Sequence, residues 1–338
     1  MRLLLLFPLL VLLAWPAPAV VIDTAAGTEN TGAPPDDPGF AHVGTNNTTF
    51  SAVYLGNNWM ISARHAGGGT TNFGGVLYPR VGSAVNLVNS GGGDPPDLHL
   101  WRVDPPPNLP LLPIRASSPG IGAATVMIGN GFDRGMPTSW DPSCAAPLSG
   151  YEVPNPGTHS LRWGTNLVAG LQVWTSDFMG NIYTTDSFHS VFEQSGTDEA
   201  VAAFGDSGGG VFIKNTSTGY WDLAGIMHSV GIACCPDTEP LECQPDNERF
   251  YGNSTFTADL SVYREQILDI TRDCRNGLDD DGDGQIDFPA DKGCNHASDA
   301  SELPAPAQPV SALPGAAAAR AAALFWGSLL WWTRRRLA

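Results

Sequence analysis

One hexapeptide stands out in this chain of 338 residues: Gly205-Asp206-Ser207-Gly208-Gly209-Gly210. Glycines on both sides of Ser207 permit a tight turn that larger residues would disfavour. Such a turn can aim the backbone N–H groups of Gly205 and Ser207 at one point, where an oxyanion would be stabilised. The hexapeptide therefore predicts a nucleophilic serine with its oxyanion hole.

Two upstream segments contain the partners that a nucleophilic serine needs. His65 follows an apolar run and precedes a glycine-rich loop, and Asp97 opens a segment of alternating apolar residues. A serine needs a histidine as its base, and the histidine needs a carboxylate that fixes its tautomer. Asp94, separated from Asp97 by two prolines, is the alternative acid.

Together, the three segments resemble the motifs of trypsin-like (chymotrypsin-fold) serine proteases, in the same chain order. The resemblance covers residues 20–272. It implies that His65 is the general base, Asp97 its orienting acid and Ser207 the nucleophile, with Gly205 and Ser207 as the oxyanion hole. It also implies an all-β fold of two antiparallel six-stranded β-barrels with the triad between them, followed by a C-terminal helix.

The residue pattern independently favours an all-β chain. There are 39 glycines and 28 prolines, and 42% of the residues are hydrophobic, so many short strands alternate with turns. This pattern is typical of a sandwich or barrel. Gly56-Asn57-Asn58 predicts a hairpin. One late helix is predicted by four apolar residues at helical spacing, Leu260, Tyr263, Ile267 and Ile270. Its N-cap is expected to be Thr257 or Ser261.

The substrates implied by the resemblance are proteins and peptides. Val201 stands six positions before the nucleophile, where the family places a specificity residue of its substrate pocket. With Val201 and Ala202 lining that pocket and no carboxylate in it, we expect Lys and Arg to be disfavoured at P1, the substrate residue before the scissile bond. Apolar P1 side chains are expected instead.

Two other functions fit parts of the sequence. Gly205 to Gly209 also satisfies G-x-S-x-G, the nucleophile elbow of secreted esterases and lipases of the α/β-hydrolase fold. That fold places its acid and histidine after the serine, yet only His228 and His296 follow Ser207, and helices are scarce. The other alternative is a catalytically inactive binding module that keeps the protease-like fold.

The N-terminus predicts export. Residues 1–19 combine Arg2, an apolar run and Ala17-Pro18-Ala19, the pattern of a cleaved signal peptide. Cleavage would leave Val20 as a new N-terminus, and in the resembled family the residue equivalent to Asp206 pairs with such a terminus. A membrane anchor is the alternative to a cleaved signal.

Export places the six cysteines in an oxidising compartment, where disulfides are expected. Cys274 and Cys294 bracket an Asp-rich segment, and we expect them to pair. The other four cysteines allow three connectivities that the sequence leaves open: Cys144, Cys234, Cys235 and Cys243.

Residues 273–302 predict a structural calcium site, whereas catalysis needs no cofactor. Acidic and amide side chains alternate through a glycine-containing loop, and hard oxygen ligands at this spacing suit calcium. The segment resembles the calcium repeats of thrombospondin type 3 and dockerin modules, and a solvated acidic linker is the alternative. The expected ligands are Asp279, Asp281, Asp283, Gln285 and Asp287.

The C-terminus predicts attachment to the cell envelope. Residues 303–310 form a Pro- and Ala-rich linker, and residues 311–338 contain an apolar run followed by Arg334-Arg335-Arg336. This tail resembles the sorting signals of bacterial envelope proteins, so we expect a sorting machinery as partner and membrane insertion before processing. A permanent single-span anchor is the alternative. The net charge of −17 argues against nucleic acid as a partner.

Overall fold

The computed structural model describes residues 20–24, 29–155, 157–194, 196, 198–272, 274, 285–286, 289–291 and 294. Strands dominate these residues and one α-helix follows them, so the predicted all-β class is confirmed. The strands are β1 (Val21–Ile22), β2 (Val43–Asn46), β3 (Phe50–Gly56), β4 (Trp59–Ser62), β5 (Thr71–Phe73), β6 (Val76–Tyr78), β7 (Arg80–Asn86), β8 (His99–Val103), β9 (Ala124–Gly129), β10 (Pro137–Trp140), β11 (Leu148–Glu152), β12 (Arg162–Leu167), β13 (Gly170–Phe178), β14 (Asn181–Val191), β15 (Ala200–Val201), β16 (Gly210–Lys214), β17 (Trp221–Gly231), β18 (Cys234–Cys235), β19 (Glu242–Cys243), β20 (Glu248–Phe250) and β21 (Ser254–Asp259).

The N-terminal sheet contains seven antiparallel segments in the order β6-β5-β2-β3-β4-β8-β7. Its two outer segments, β6 and β7, are consecutive in the chain and are separated only by Pro79. Proline has no N–H to donate, which interrupts the strand at that residue. Because β6 pairs with β5 while β7 pairs with β8, the interrupted strand closes the sheet into a barrel of six strands.

The C-terminal sheet closes in the same way. Its order is β12-β9-β16-β17-β21-β14-β13, and only Val168 and Ala169 separate the outer segments β12 and β13. The Val168 N–H donates to the carbonyl oxygen of Ala123 at 3.0 Å, and the Ala169 N–H donates to that of His189 at 2.8 Å. These two hydrogen bonds link the residues between β12 and β13 to Ala123, next to β9, and to His189 of β14, so the sheet closes into a barrel. The predicted pair of six-stranded barrels is confirmed.

The two barrels share one hydrophobic core. Val53, Ile61 and Leu100 of the first barrel belong to the same cluster of buried side chains as Ile128 and Phe212 of the second. The continuous core fixes the barrels against each other, because separating them would expose this apolar surface to water. Residues at the barrel boundary are therefore held in defined relative positions.

The predicted hairpin and helix are both present. Asn57 and Asn58 have φ angles of 46° and 63°, as a two-residue turn between β3 and β4 requires. Helix α1 spans Leu260–Thr271, and its N-cap is Asp259, whose carboxylate accepts a hydrogen bond from the Ser261 N–H. The predicted caps were wrong: Thr257 lies in β21 and Ser261 lies inside the helix.

Every cysteine is in a disulfide, as expected from export. Cys274 pairs with Cys294, and the open connectivity is resolved as Cys144–Cys235 and Cys234–Cys243. No helix in the described part of the chain is long and apolar enough to cross a bilayer. The predicted signal peptide (residues 1–19) and the linker and tail (residues 303–338) lie outside the described residues.

Candidate active site

Three side chains from both barrels meet at the barrel boundary. His65 lies in a single 3₁₀ turn, Arg64–Ala66, just after β4, and Asp97 lies just before β8. Ser207 lies between β15 and β16 of the C-terminal half. The His65 Nδ1 is 2.5 Å from the Asp97 Oδ2, and the His65 Nε2 is 2.9 Å from the Ser207 Oγ. The structure thus brings together the three residues that the sequence singled out.

The alternative acid does not take part in these contacts. Asp94 is exposed, and its carbonyl oxygen accepts a hydrogen bond from the side chain of Asn89. Asp97, in contrast, is 1% exposed, and its carboxylate also accepts a hydrogen bond from the His65 backbone N–H at 2.9 Å. Of the two candidates, Asp97 alone contacts the histidine.

The environment of Asp97 keeps it ionised. Burial by itself raises the pKa of this carboxyl, but the hydrogen bonds from His65 and the electrostatic effect of His65 outweigh burial and hold the pKa below its ordinary value. An ionised carboxylate can only accept hydrogen bonds. The proton of His65 therefore lies on Nδ1, and Nε2 is left to accept a hydrogen bond from the Ser207 hydroxyl.

In the turn formed by residues 205–210, two backbone N–H groups have no acceptor among the described residues. Within the hexapeptide, the N–H of Asp206 donates to Ala203 O, that of Gly208 to Met227 O and that of Gly209 to Asp206 O. The N–H groups of Gly205 and Ser207 donate to no acceptor in the described part of the chain. These are the two donors that the sequence predicted for an oxyanion hole.

Backbone conformation and hydrogen bonds hold this turn rigidly. Gly205 and Gly208 have φ angles of 97° and 90°, in the region that favours glycine. Ser51 of the first barrel donates its N–H to the Ser207 carbonyl oxygen at 2.9 Å and its hydroxyl to the Gly205 carbonyl oxygen at 3.0 Å. The Asn130 N–H of the second barrel donates to the same hydroxyl at 2.8 Å. The turn is thus anchored to both barrels.

A cavity of about 660 Å³ opens beside the three side chains. His65 and Ser207 line it, as does Ala202, one of the two residues expected in the substrate pocket. Val201, the other one, does not: its side chain packs in a buried cluster with Phe132 and Val153. Val201 is the last residue of the two-residue strand β15, and Ala202 and Ala203, which follow it, both line the cavity.

Two residues that line the cavity were not assigned to it from the sequence. Arg249 lines the cavity from β20, although nothing in its local sequence marks a site. His228 lines it as well, and its Nε2 is 3.0 Å from the Ser187 hydroxyl. Burial lowers the pKa of His228 to about 4, so this imidazole is neutral at physiological pH. In the sequence, His228 is marked only by its position after the apolar pair Ile226-Met227, and Arg249 has no such mark.

Asp206 and Val20 are also in contact. Asp206 is fully buried, and its carboxylate accepts hydrogen bonds from the backbone N–H groups of Ala203, Gly131 and Val20. Burial raises the pKa of this carboxyl to about 7, against the effect of these hydrogen bonds and of the positive Arg249. A positive charge at the Val20 nitrogen would form an ion pair with this buried carboxylate, in addition to the attraction from Arg249.

Most of the expected calcium ligands lie outside the described residues: Asp279, Asp281, Asp283 and Asp287. Gln285, the remaining one, is half-buried. The described residues contain no cluster of three or more His, Cys, Asp or Glu side chains that could hold a metal ion. Calcium binding therefore stays a prediction.

No model of a protein family matches the chain, and no curated protein matches it. Among solved structures, it is similar to the inactive form of the Rv3671c protease of M. tuberculosis, at 15% sequence identity and a TM-score of 0.38, over 71% of this chain and 98% of that one. It is also similar to the apo MamO protease domain from Magnetospirillum magneticum, at 15% identity and a TM-score of 0.38, over 68% and 97%. At such distances, the activity has to be argued from the residues of this chain.

Proposed function

We propose that the chain is an exported serine endopeptidase that hydrolyses peptide bonds through Ser207, His65 and Asp97. One observation carries the proposal: His65 is hydrogen-bonded to a buried carboxylate on one side and to the Ser207 hydroxyl on the other. The neutral, correctly oriented imidazole is what a serine needs to lose its proton during attack. The N–H groups of Gly205 and Ser207, which have no acceptor among the described residues, support the same chemistry.

The first half of the reaction forms an acyl-enzyme. The Ser207 Oγ attacks the carbonyl carbon of the scissile bond while its proton moves to the His65 Nε2. The carbonyl oxygen becomes an oxyanion, which the N–H groups of Gly205 and Ser207 stabilise. Asp97 stabilises the imidazolium. The C–N bond then breaks, and the leaving amine takes the proton from the His65 Nε2.

The second half reverses these roles with water. A water molecule gives a proton to the His65 Nε2 as its oxygen bonds to the acyl carbon, and the oxyanion forms again at Gly205 and Ser207. The C–O bond to Ser207 breaks, and the serine recovers its proton from His65. The products are two peptides, and the catalytic residues return to their initial protonation states.

Labelling with a small fluorophosphonate and casein hydrolysis test this proposal on the secreted protein. Ser207→Ala should abolish labelling and lower kcat by roughly 10⁶-fold, because the nucleophile is lost. Ser176→Ala is the matched control, since Ser176 lines the same cavity but contacts neither His65 nor Asp97. Unchanged proteolysis in the Ser207→Ala protein would refute the assignment, and equal labelling of both variants would place the reactive serine elsewhere.

The two alternative functions have less support. An α/β-hydrolase needs helices between its strands, whereas the described residues contain one α-helix, after the last strand. His228, a candidate base for that reading, contacts Ser187 rather than Ser207. An inactive binding module would have no need for the complete set of contacts from Asp97 to Ser207, and it would give no fluorophosphonate labelling.

Export and maturation form part of the same proposal. The signal-like residues 1–19 and the disulfides support passage into an oxidising compartment. We place signal cleavage after Ala19, which turns the Val20 N–H into an ammonium group. The contact between Val20 and Asp206 supports an ion pair there in the mature enzyme.

Attachment and calcium binding complete the proposal. The apolar and arginine-rich tail, residues 311–338, supports insertion in the membrane followed by recognition by a sorting machinery at the cell envelope. The Asp-rich loop supports a structural calcium ion, and the Cys274–Cys294 disulfide closes that segment. Identification of the C-terminal residue of the secreted protein by mass spectrometry tests the tail: an intact Ala338 would refute processing.

A further inference from the structure

Arg249 is the one lysine or arginine among the described residues that line the cavity beside Ser207. It is 6% exposed, and three hydrogen bonds to backbone carbonyls hold its guanidinium. Nε donates to Ala202 at 3.0 Å, and Nη1 donates to Asp246 at 2.9 Å and to Glu248 at 2.7 Å. Nη2 has no hydrogen bond to any described residue.

The charge of Arg249 lacks a full counterion. Burial lowers its pKa to about 10, so it is a cation at neutral pH, and it forms no ion pair within the described part of the chain. Two carboxylates attract it, Asp206 and Asp246. Asp206 is shared with the Val20 nitrogen, and Asp246 is exposed to solvent, where screening weakens its effect. A buried cation whose hydrogen-bond acceptors are neutral carbonyls is stabilised when a carboxylate binds next to it.

The position of Arg249 indicates which substrate residue supplies that carboxylate. Arg249 binds the carbonyl oxygen of Ala202, which lies five residues before Ser207 and lines the same cavity. The P1 residue contains the carbonyl carbon that Ser207 attacks, so its side chain enters the cavity beside the nucleophile. We propose that Arg249 determines specificity and that the enzyme cleaves after acidic residues, aspartate or glutamate. This inference rests on the proposed endopeptidase function.

The lining of the cavity combines apolar residues with Arg249, as an acidic side chain with an apolar stem requires. Phe132, Val153 and Met227 line it with apolar surface that can pack against the methylene groups of the P1 residue. The Nη2 group of Arg249, whose N–H donors have no acceptor among the described residues, can then bind the terminal carboxylate. The same charge repels Lys and Arg, in agreement with the sequence expectation, whereas the expected apolar preference rested partly on Val201, which lies in the core instead.

A panel of peptides that differ only at P1 tests the inference on the wild-type enzyme. With Glu, Gln, Leu and Lys at P1, kcat/KM should be highest for Glu, by roughly 10²-fold over Gln, because Gln lacks the charge that Arg249 binds. Fluorophosphonate labelling of Ser207 is measured in parallel. Absent labelling would refute the protease function itself, whereas normal labelling with Leu or Gln cleaved as well as Glu would refute only the acidic specificity.

Variants of Arg249 test the residue directly. Arg249→Gln should lower kcat/KM for the Glu peptide by roughly 10²-fold and change kcat/KM for the Gln peptide much less. Arg249→Lys keeps the charge, so it should retain part of the preference for Glu over Gln even where the lost hydrogen bonds reduce stability. Asn155→Ala, a neutral change on the same cavity, is the matched control and should preserve the Glu-to-Gln ratio. A ratio that is unchanged in both Arg249 variants would overturn the proposal.

Discussion

Substitution of Asp206 by asparagine is expected to have opposite effects before and after removal of the signal peptide. Before cleavage, the carboxylate faces the neutral N–H of Val20 in a fully buried position, and burial raises its pKa from 3.8 to about 7. At about 1.4 kcal/mol per pH unit, ionising this group in the folded protein costs about 4 kcal/mol. Asparagine avoids that cost.

The sign of the pH dependence follows from proton binding. Between pH 4 and 7 the folded protein holds a proton on Asp206 that the unfolded chain has released. The free energy of unfolding of the uncleaved form therefore falls as pH rises through this window. At pH 8, Asp206→Asn should stabilise that form by about 3 kcal/mol, after about 1 kcal/mol is subtracted for a lost hydrogen bond.

After cleavage, the same substitution removes one partner of a buried ion pair. The Val20 ammonium would then be left buried without a counterion, which costs about 3–5 kcal/mol. Asp206→Asn should therefore destabilise the protein that begins at Val20. Because Asp206 precedes the nucleophile, we also expect a slower fluorophosphonate reaction in that form.

Urea unfolding at pH 8 of two purified forms, one beginning at Val20 and one retaining Ala19, measures both effects. Asp133→Asn is the matched control, since Asp133 is also buried and its pKa is raised to about 6, but it does not contact Val20. Its effect should be the same in both forms. An Asp206→Asn effect of the same sign in both forms would refute the ion pair.

Four further outcomes are expected. Asp97→Asn should lower kcat by about 10⁴-fold with little change in KM, because His65 would lose its orienting acceptor; a tenfold loss or less would contradict its role. Gly208→Ala should destabilise the protein by about 3 kcal/mol in urea unfolding, because its φ is 90° and a Cβ would collide with Ser51 O and Ser62 Oγ; an unchanged midpoint would contradict this. Burial lowers the pKa of His99 from 6.5 to about 4, so the contribution of His99 to the free energy of unfolding should fall by about 3 kcal/mol as pH decreases from 6.5 to 4; a His99→Leu protein with an unchanged pH dependence of stability would contradict this. Calcium chelation should lower Tm, an effect that Asp281→Asn should remove; identical transitions with and without calcium would count against the site.

The barrels and the contacts among the three site residues were predictable because short motifs encode them. The strands show in the alternation of apolar residues, and the turns show in glycine, asparagine and proline. The nucleophile turn is equally local: the φ angles at Gly205 and Gly208 need glycine whatever surrounds them. The closure of each barrel was harder to predict from the sequence, because the strand that closes it is interrupted. The interruption lies at Pro79 in the first barrel and at Val168 and Ala169 in the second.

Specificity and stabilising contacts were not encoded in the same local way. Arg249 reaches the cavity because β20 pairs with β11, with Arg249 opposite Tyr151, and no motif links these segments in the sequence. Whether Val201 or Ala202 lines the cavity depends on where β15 ends, and this strand has only two residues, Ala200 and Val201. Neither fact can be deduced without the three-dimensional pairing. The proposed role of one buried arginine therefore changes the expected P1 residue from apolar to acidic, whereas the proposed catalytic residues are those that the sequence singled out.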